Sequence, residues 1–178
     1  MTPSKRMWRL AFALSKQRML STRMLIMLPI LLLFIPGMAW GFADPNIQLP
    51  AEQLPTNGTE VMLLASIGIV FAGTMAAVLI AHDGISRDRM SGVLEVRLSQ
   101  PMPRWRQGVI LMLGHWSSIA VPVAVLLVAS MMLVGYRSGM WVPLSDALIY
   151  IVAAMLILLW YTVFALLASS IAKEQGSA

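Results

Sequence analysis

Four stretches without a single Asp, Glu, Lys or Arg, at residues 24–43, 61–81, 107–136 and 147–172, govern what this chain can become. Each reaches or exceeds the roughly 20 residues a helix needs to cross about 30 Å of hydrocarbon. A backbone in lipid must satisfy its own hydrogen bonds, which an apolar segment does as a helix. The expected fold class is therefore all-α, a polytopic membrane protein with four transmembrane helices at about 24–43, 61–81, 108–136 and 147–172, forming one transmembrane domain over residues 1–178. Composition agrees: 58% of residues are hydrophobic and 12% charged, against about a quarter charged in ordinary soluble domains.

The charges that remain report topology. Six basic residues, Lys5, Arg6, Arg9, Lys16, Arg18 and Arg23, precede the first span with no acid among them, and five arginines, Arg87, Arg89, Arg97, Arg104 and Arg106, lie between spans two and three. The connection at 44–60 has no basic residue, and that at 137–146 has Arg137 alone. By the positive-inside rule, both termini and the central connection are expected in the cytoplasm, with the chain in the cell (inner) membrane. The net charge of +5 thus flanks apolar spans and forms no soluble basic face, so no nucleic-acid partner is expected.

Residues from about 4 to 22 fit a two-faced helix. Met7, Trp8, Leu10, Ala11, Phe12 and Leu14 lie on one side and Lys5, Arg6, Arg9 and Lys16 on the other, with Arg18 out of pattern on the apolar side. Such a helix lies at the interface, in contact with membrane lipid, its basic face toward anionic headgroups. Gly41-Phe42-Ala43 before Asp44 has the form of a signal cleavage site. The apolar stretch is long for a signal and a second span follows, which predicts an uncleaved anchor. Pro29 and Pro36 can kink span one, and Ala65, Ser66, Gly68, Ala72, Gly73, Ala76 and Ala77 give span two a seam for close helix approach. The loop at 44–60 reads as irregular, with Asn57-Gly58-Thr59 a glycosylation acceptor where the host modifies such sites. Trp141 suits an interfacial belt.

The chain lacks the reagents of an enzyme. No charged residue lies inside a span to mark a proton relay or ion path, there is no cysteine, and no phosphate-binding G-x-x-x-x-G-K-[ST], H-E-x-x-H or G-x-S-x-G occurs. His82 and Asp83 adjoin but are two ligands where zinc wants three or four. His115 reads as a packed residue, and the 15 methionines, being scattered, read as apolar filling and not as a copper site. No metal and no bound cofactor are expected.

The charged centre stands apart. Between Ile85 and Gln100 a short helix is expected, with Asp83 four residues before Arg87, an apolar face of Met90, Val93, Leu94 and Leu98, and Arg87, Asp88, Ser91 and Glu95 toward solvent. Pro101 and Pro103 would end it. The run "RDRMSGVLEVRLSQPMPR" from Arg87 to Arg104 resembles the segment after the second span in type-2 permeases of the ATP-binding-cassette transporter superfamily. An acidic-basic pair, a Gly, a Leu-Glu and a small-residue-Pro-x-x-Arg stretch recur there in this order. The plan of a basic interfacial helix, a span, an outer loop, a second span, this segment and a later span ending in "LLASSIAKEQGSA" is similar too.

The resemblance implies the permease subunit of an ATP-driven exporter, working as a homo- or heterodimer with a cytoplasmic ATPase subunit that binds the ATP. Carried over by position, Arg87, Asp88, Arg89, Gly92, Leu94 and Glu95 would form the segment that docks in the ATPase, within a stretch of about 83–106, with Pro101 and Arg104 at its exit and Gly92 permitting close backbone approach. The chain departs from the pattern at Asp88, where Glu is more usual, and at Val93, where Thr is common. Four spans stand where such permeases have six, which suggests a fragment or helices supplied by another chain. Two other readings remain. His115-Trp116 echoes the haem-exporter membrane subunit of cytochrome c maturation, and a non-transporting scaffold would dock a partner through the same charged segment.

Overall fold

The computed structural model describes residues 3–46, 55–82, 84–93, 95, 99 and 103–171. The described residues form helices and no strand. They are α1 (Pro3–Met19), α2 (Thr22–Phe34), α3 (Pro36–Phe42), α4 (Gly58–Gly68), a π-helical turn (Ile69–Gly73), α5 (Thr74–Ala81), α6 (Ser86–Met90), α7 (Arg104–Ser138) and α8 (Leu144–Ile171). Four stretches are long and apolar enough to cross a membrane: Thr22–Phe42, Gly58–Met90, Arg104–Ser138 and Leu144–Ile171. The second and third bury 50% and 56% of their most apolar window, the first and fourth only 22% and 28%. The first and fourth thus keep broad apolar faces for lipid or for another membrane subunit.

Local chemistry sets the boundaries. Ser21 closes α1 and opens α2: its hydroxyl donates to the Arg18 carbonyl (2.6 Å) and accepts from the Met24 amide (3.4 Å). The two prolines of span one act differently. Pro29 is held within α2, whereas Pro36 begins a new helix after Ile35, so the expected kink falls at Pro36. Proline suits a first helical turn because its missing N–H needs no partner there. Pro103, expected to terminate the central helix, lies immediately before α7, whose Arg106 amide donates to its carbonyl (3.0 Å).

The chain divides into two compact units. One comprises Ile26–Thr74 and Val121–Ile157. In it Asn57 caps α4 by accepting from the Glu60 amide (2.9 Å), and Glu60 answers by accepting from the Thr56 amide (2.5 Å) and Asn57 Nδ2 (3.1 Å). This reciprocal cap starts span two three residues before the charge-free stretch does. It also places the asparagine of the glycosylation triplet in a structural role. Gly68 lies against the Phe34 carbonyl, closer than a side chain would allow. The Phe34 and Phe71 rings meet at 5.4 Å. Arg137, the lone basic residue of its connection, forms an ion pair with Asp44 and stacks 4.2 Å over Trp40. Thr59 donates to Asp146 (2.8 Å) and Tyr150 to the Met62 carbonyl (2.8 Å). Trp141 keeps an exposed ring yet rests on Gly135.

The other unit comprises Met1–Leu25, Met75–Ala120 and Leu158–Ala178. Here α1 buries Ala11, Leu14 and Ser15, with Leu14 over Gly114, and leaves Trp8 and Phe12 largely exposed. The expected apolar face is therefore divided: Ala11 and Leu14 pack inward, and Trp8, Leu10 and Phe12 face out. Ala81, Ala165 and Leu166 form a buried cluster with Ile85 and Met112 against it. This cluster is the bed on which the charged segment rests.

Candidate functional site

Helix α6 has five residues, too few to persist alone in water. Its N-cap, Ile85, has no side chain able to cap it. The cap comes from α8. Ser169, fully buried, accepts from the backbone amides of Ile85 and Ser86, both at 3.0 Å. One turn on, Arg89 Nη2 donates to the Ser170 carbonyl (2.9 Å), a cation against the C-terminal end of α8 where the helix dipole favours it. Gly84 completes the seat: a Cβ there would lie 2.8 Å from His115 Nε2 on α7 and 3.0 Å from Leu166 on α8. The segment is thus fastened to α5 by the chain, to α8 by hydrogen bonds and to α7 by a close glycine contact.

The sequence-expected residues fall into distinct positions. Arg87 is exposed and lines a cavity together with Asp88, whereas Arg89 is turned to α8. Gly92 has φ of +71°, and open space surrounds the point where a Cβ would stand. Within this chain it reverses the backbone after α6. The Gly92 amide closes that turn on the Arg89 carbonyl (3.2 Å). The expected continuous helix from 85 to 100 is accordingly broken at Ser91 and Gly92, with helical conformation recurring at Val93 and Glu95. Glu95 is exposed, and Arg104 opens α7. Met90 and Val93, two members of the expected apolar face, are 60% and 40% exposed. Leu94 and Pro101 lie outside the described residues, as do Asp83 and Leu98.

Beside α6 lies a cavity of about 620 Å³, walled by the end of α1, the start of α2, Ile80 of α5 and Arg87, Asp88 and Ser91. Arg23 is set in place there by donating to the Leu79 carbonyl (3.2 Å). His115 is fully buried, its Nδ1 2.8 Å from the Leu111 carbonyl, in keeping with a packed residue. Among the described residues no group of three or more His, Cys, Asp or Glu could hold a metal. Among the described residues the arrangement offers no acid–base pair. What it can do is mechanical: a push on α6 reaches α8 through Ser169 and Arg89, and α7 through Gly84.

Sequence reasoning missed Ser169, Ser170 and Gly84. A hydroxyl in an apolar helix ordinarily returns its proton to a carbonyl one turn back, as Thr162 does to Leu158 (2.7 Å) and Ser130 to Leu126 (2.7 Å). Nothing in "LLASSIAKEQGSA" distinguishes a serine that accepts from another helix. The π turn also left no trace in the apolar pattern.

A family described as "ABC-2 family transporter protein" matches residues 13–178. No curated protein and no solved structure matches the chain. Permeases of that family work with a cytoplasmic ATPase subunit. With an all-helical fold, four helices able to span a bilayer and a match over nearly its full length, the chain belongs to the ABC-2 family of transporter proteins and is a multi-pass permease subunit of an ABC transporter.

Proposed function

We propose that this chain is the membrane half of an ATP-driven exporter, and that the segment from Ser86 to Arg104 is where a cytoplasmic ATPase subunit pushes on it. The observation that carries this reading is the seat of α6. A five-residue charged helix with exposed Arg87, followed after the turn at Gly92 by exposed Glu95, is joined to α8 through Ser169 and Arg89 and to α7 through Gly84. Such a small charged element, presented outward and fastened inward to long apolar helices, suits the transfer of a rigid-body displacement. Arg87, Asp88, Glu95 and the stretch through Leu94 and Pro101 would supply the docking surface, while Arg89 and Gly92 hold its shape.

In this reading ATP is bound and hydrolysed by the partner and no nucleotide is held by this chain. Two permease subunits pair in the cell membrane, and both termini and α6 face the cytoplasm, as the distribution of Lys and Arg argues. Co-purification tests the assignment. The wild-type chain should bring down an ATPase carrying a phosphate-binding loop. Arg87→Glu and Glu95→Lys should each weaken that association by about tenfold or more, the scale of one desolvated charge pair turned repulsive. Undiminished binding by both variants overturns the docking surface, and capture of a partner without ATPase activity favours a scaffold.

A further inference from the structure

The cavity beside α6 has a lining whose charge extends beyond the coupling role: Arg18 and Arg23 lie outside the docking stretch, while Arg87 and Asp88 belong to both. Three guanidinium groups, Arg18, Arg23 and Arg87, line it, opposed among the described residues by the single carboxylate of Asp88. Arg18 is the residue that broke the amphipathic pattern of α1, and its inward position is explained by this cavity. The remaining walls are partly apolar, with Leu20, Ile80 and Val93. Of these, Leu20 is 77% and Val93 40% exposed. A cationic recess with exposed aliphatic side chains in its wall matches an amphiphile: a phosphate among the guanidinium groups and an acyl chain along Leu20 and Val93. Trp8 and Phe12, exposed on α1 in the same unit, are of the type that settles at the headgroup level of a bilayer.

We propose that this cavity binds the phosphate-bearing headgroup of an anionic membrane phospholipid, held by Arg18, Arg23 and Arg87. The volume of about 620 Å³ exceeds what a lone phosphate fills and accommodates a phosphoglycerol headgroup with the first part of its chains. Because α1 and α6 both contribute to the lining, an occupied site joins the interfacial helix to the charged segment. The proposal goes beyond the coupling role and does not require it, since Arg18 and Arg23 lie outside the stretch assigned to ATPase docking.

The test uses the full chain extracted from vesicles of phosphatidylcholine containing phosphatidylglycerol, with lipid retained on the purified protein counted by native mass spectrometry. Wild type should keep phosphatidylglycerol in preference to phosphatidylcholine. Arg18→Gln and Arg23→Gln should each lower that retention about fivefold, in line with the contribution of one basic residue at a membrane surface. Arg106→Gln, which removes a charge outside the cavity, should not lower it, and Arg18→Lys should restore most of it. Equal loss in all three glutamine variants means diffuse attraction and overturns the site, as does retention without preference for the anionic lipid. On the wild-type protein, titration with inorganic phosphate separates the two sources of the same chemistry: displacement of lipid at millimolar phosphate overturns the lipid assignment in favour of a free anion. That arm holds even where a glutamine variant fails to fold. Normal ATPase co-purification by Arg18→Gln keeps the outcome separate from that of the docking surface.

Discussion

At the scale of single residues, Ser169 and Gly84 do most to give the charged segment its place. Ser169→Ala removes the acceptor of two amides that are otherwise left without their cap. The expected cost is about 1–2 kcal/mol, read as a lower midpoint of thermal unfolding in detergent, with Ser169→Thr recovering part of it. Gly84→Ala places a methyl against the buried His115 ring and Leu166 and should cost about 1–3 kcal/mol. His115 and Leu166 can shift by a rotamer adjustment, which sets the cost below that of Gly68→Ala, where the obstacle is the Phe34 backbone. Asp44 gives a pH signature. A hydrogen bond from the Asn46 amide, helped by Arg137, holds its carboxyl below the usual value of 3.8. A depressed folded-state pKa stabilises the fold in full above the ordinary carboxylate range and is lost as pH falls through the depressed value. Unfolding followed by tryptophan fluorescence should therefore show stability declining below about pH 4, with a shallower decline in Asp44→Asn.

At the scale of elements, the π turn at Ile69–Gly73 frees carbonyls and is answered locally. Thr74 donates its hydroxyl to the Val70 carbonyl and, at 3.3 Å, lies near that of Phe71. Thr74→Val keeps the volume and removes the donor, so it should destabilise span two by about 1 kcal/mol; a steady rise in amide exchange confined to residues 69–74 would identify the cause. The four spans were legible in the sequence because hydrocarbon thickness and loss of charge leave no alternative to a helix. The seam was legible as well: Ala65, Gly68, Ala72, Gly73, Ala76 and Ala77 are buried and Ser66 is half-buried, since small residues are what close helix approach requires. The interior of the charged segment was not. Its helical period predicted one helix, but the positive φ at Gly92 and the cap from Ser169 are decided by geometry and by a residue far along the chain. Arg18 was visible as an anomaly, yet only the cavity supplies its reason.

At the scale of the whole molecule, the sidedness of the chain is open to direct test because it contains no cysteine. A single cysteine at exposed Ser91 should react with a membrane-impermeant maleimide only after the cells are opened, and one at exposed Ser145 should react in intact cells. The reverse result would invert the orientation and place the charged segment out of an ATPase's reach.

The seat of α6 also bears on the order in which the protein is made. Its N-terminal amides find their acceptor 83 residues or more further along the chain. A nascent permease emerging from the ribosome consequently carries an unfinished α6 until α8 has been made, so that the proposed docking element matures only after the three spans that precede α8.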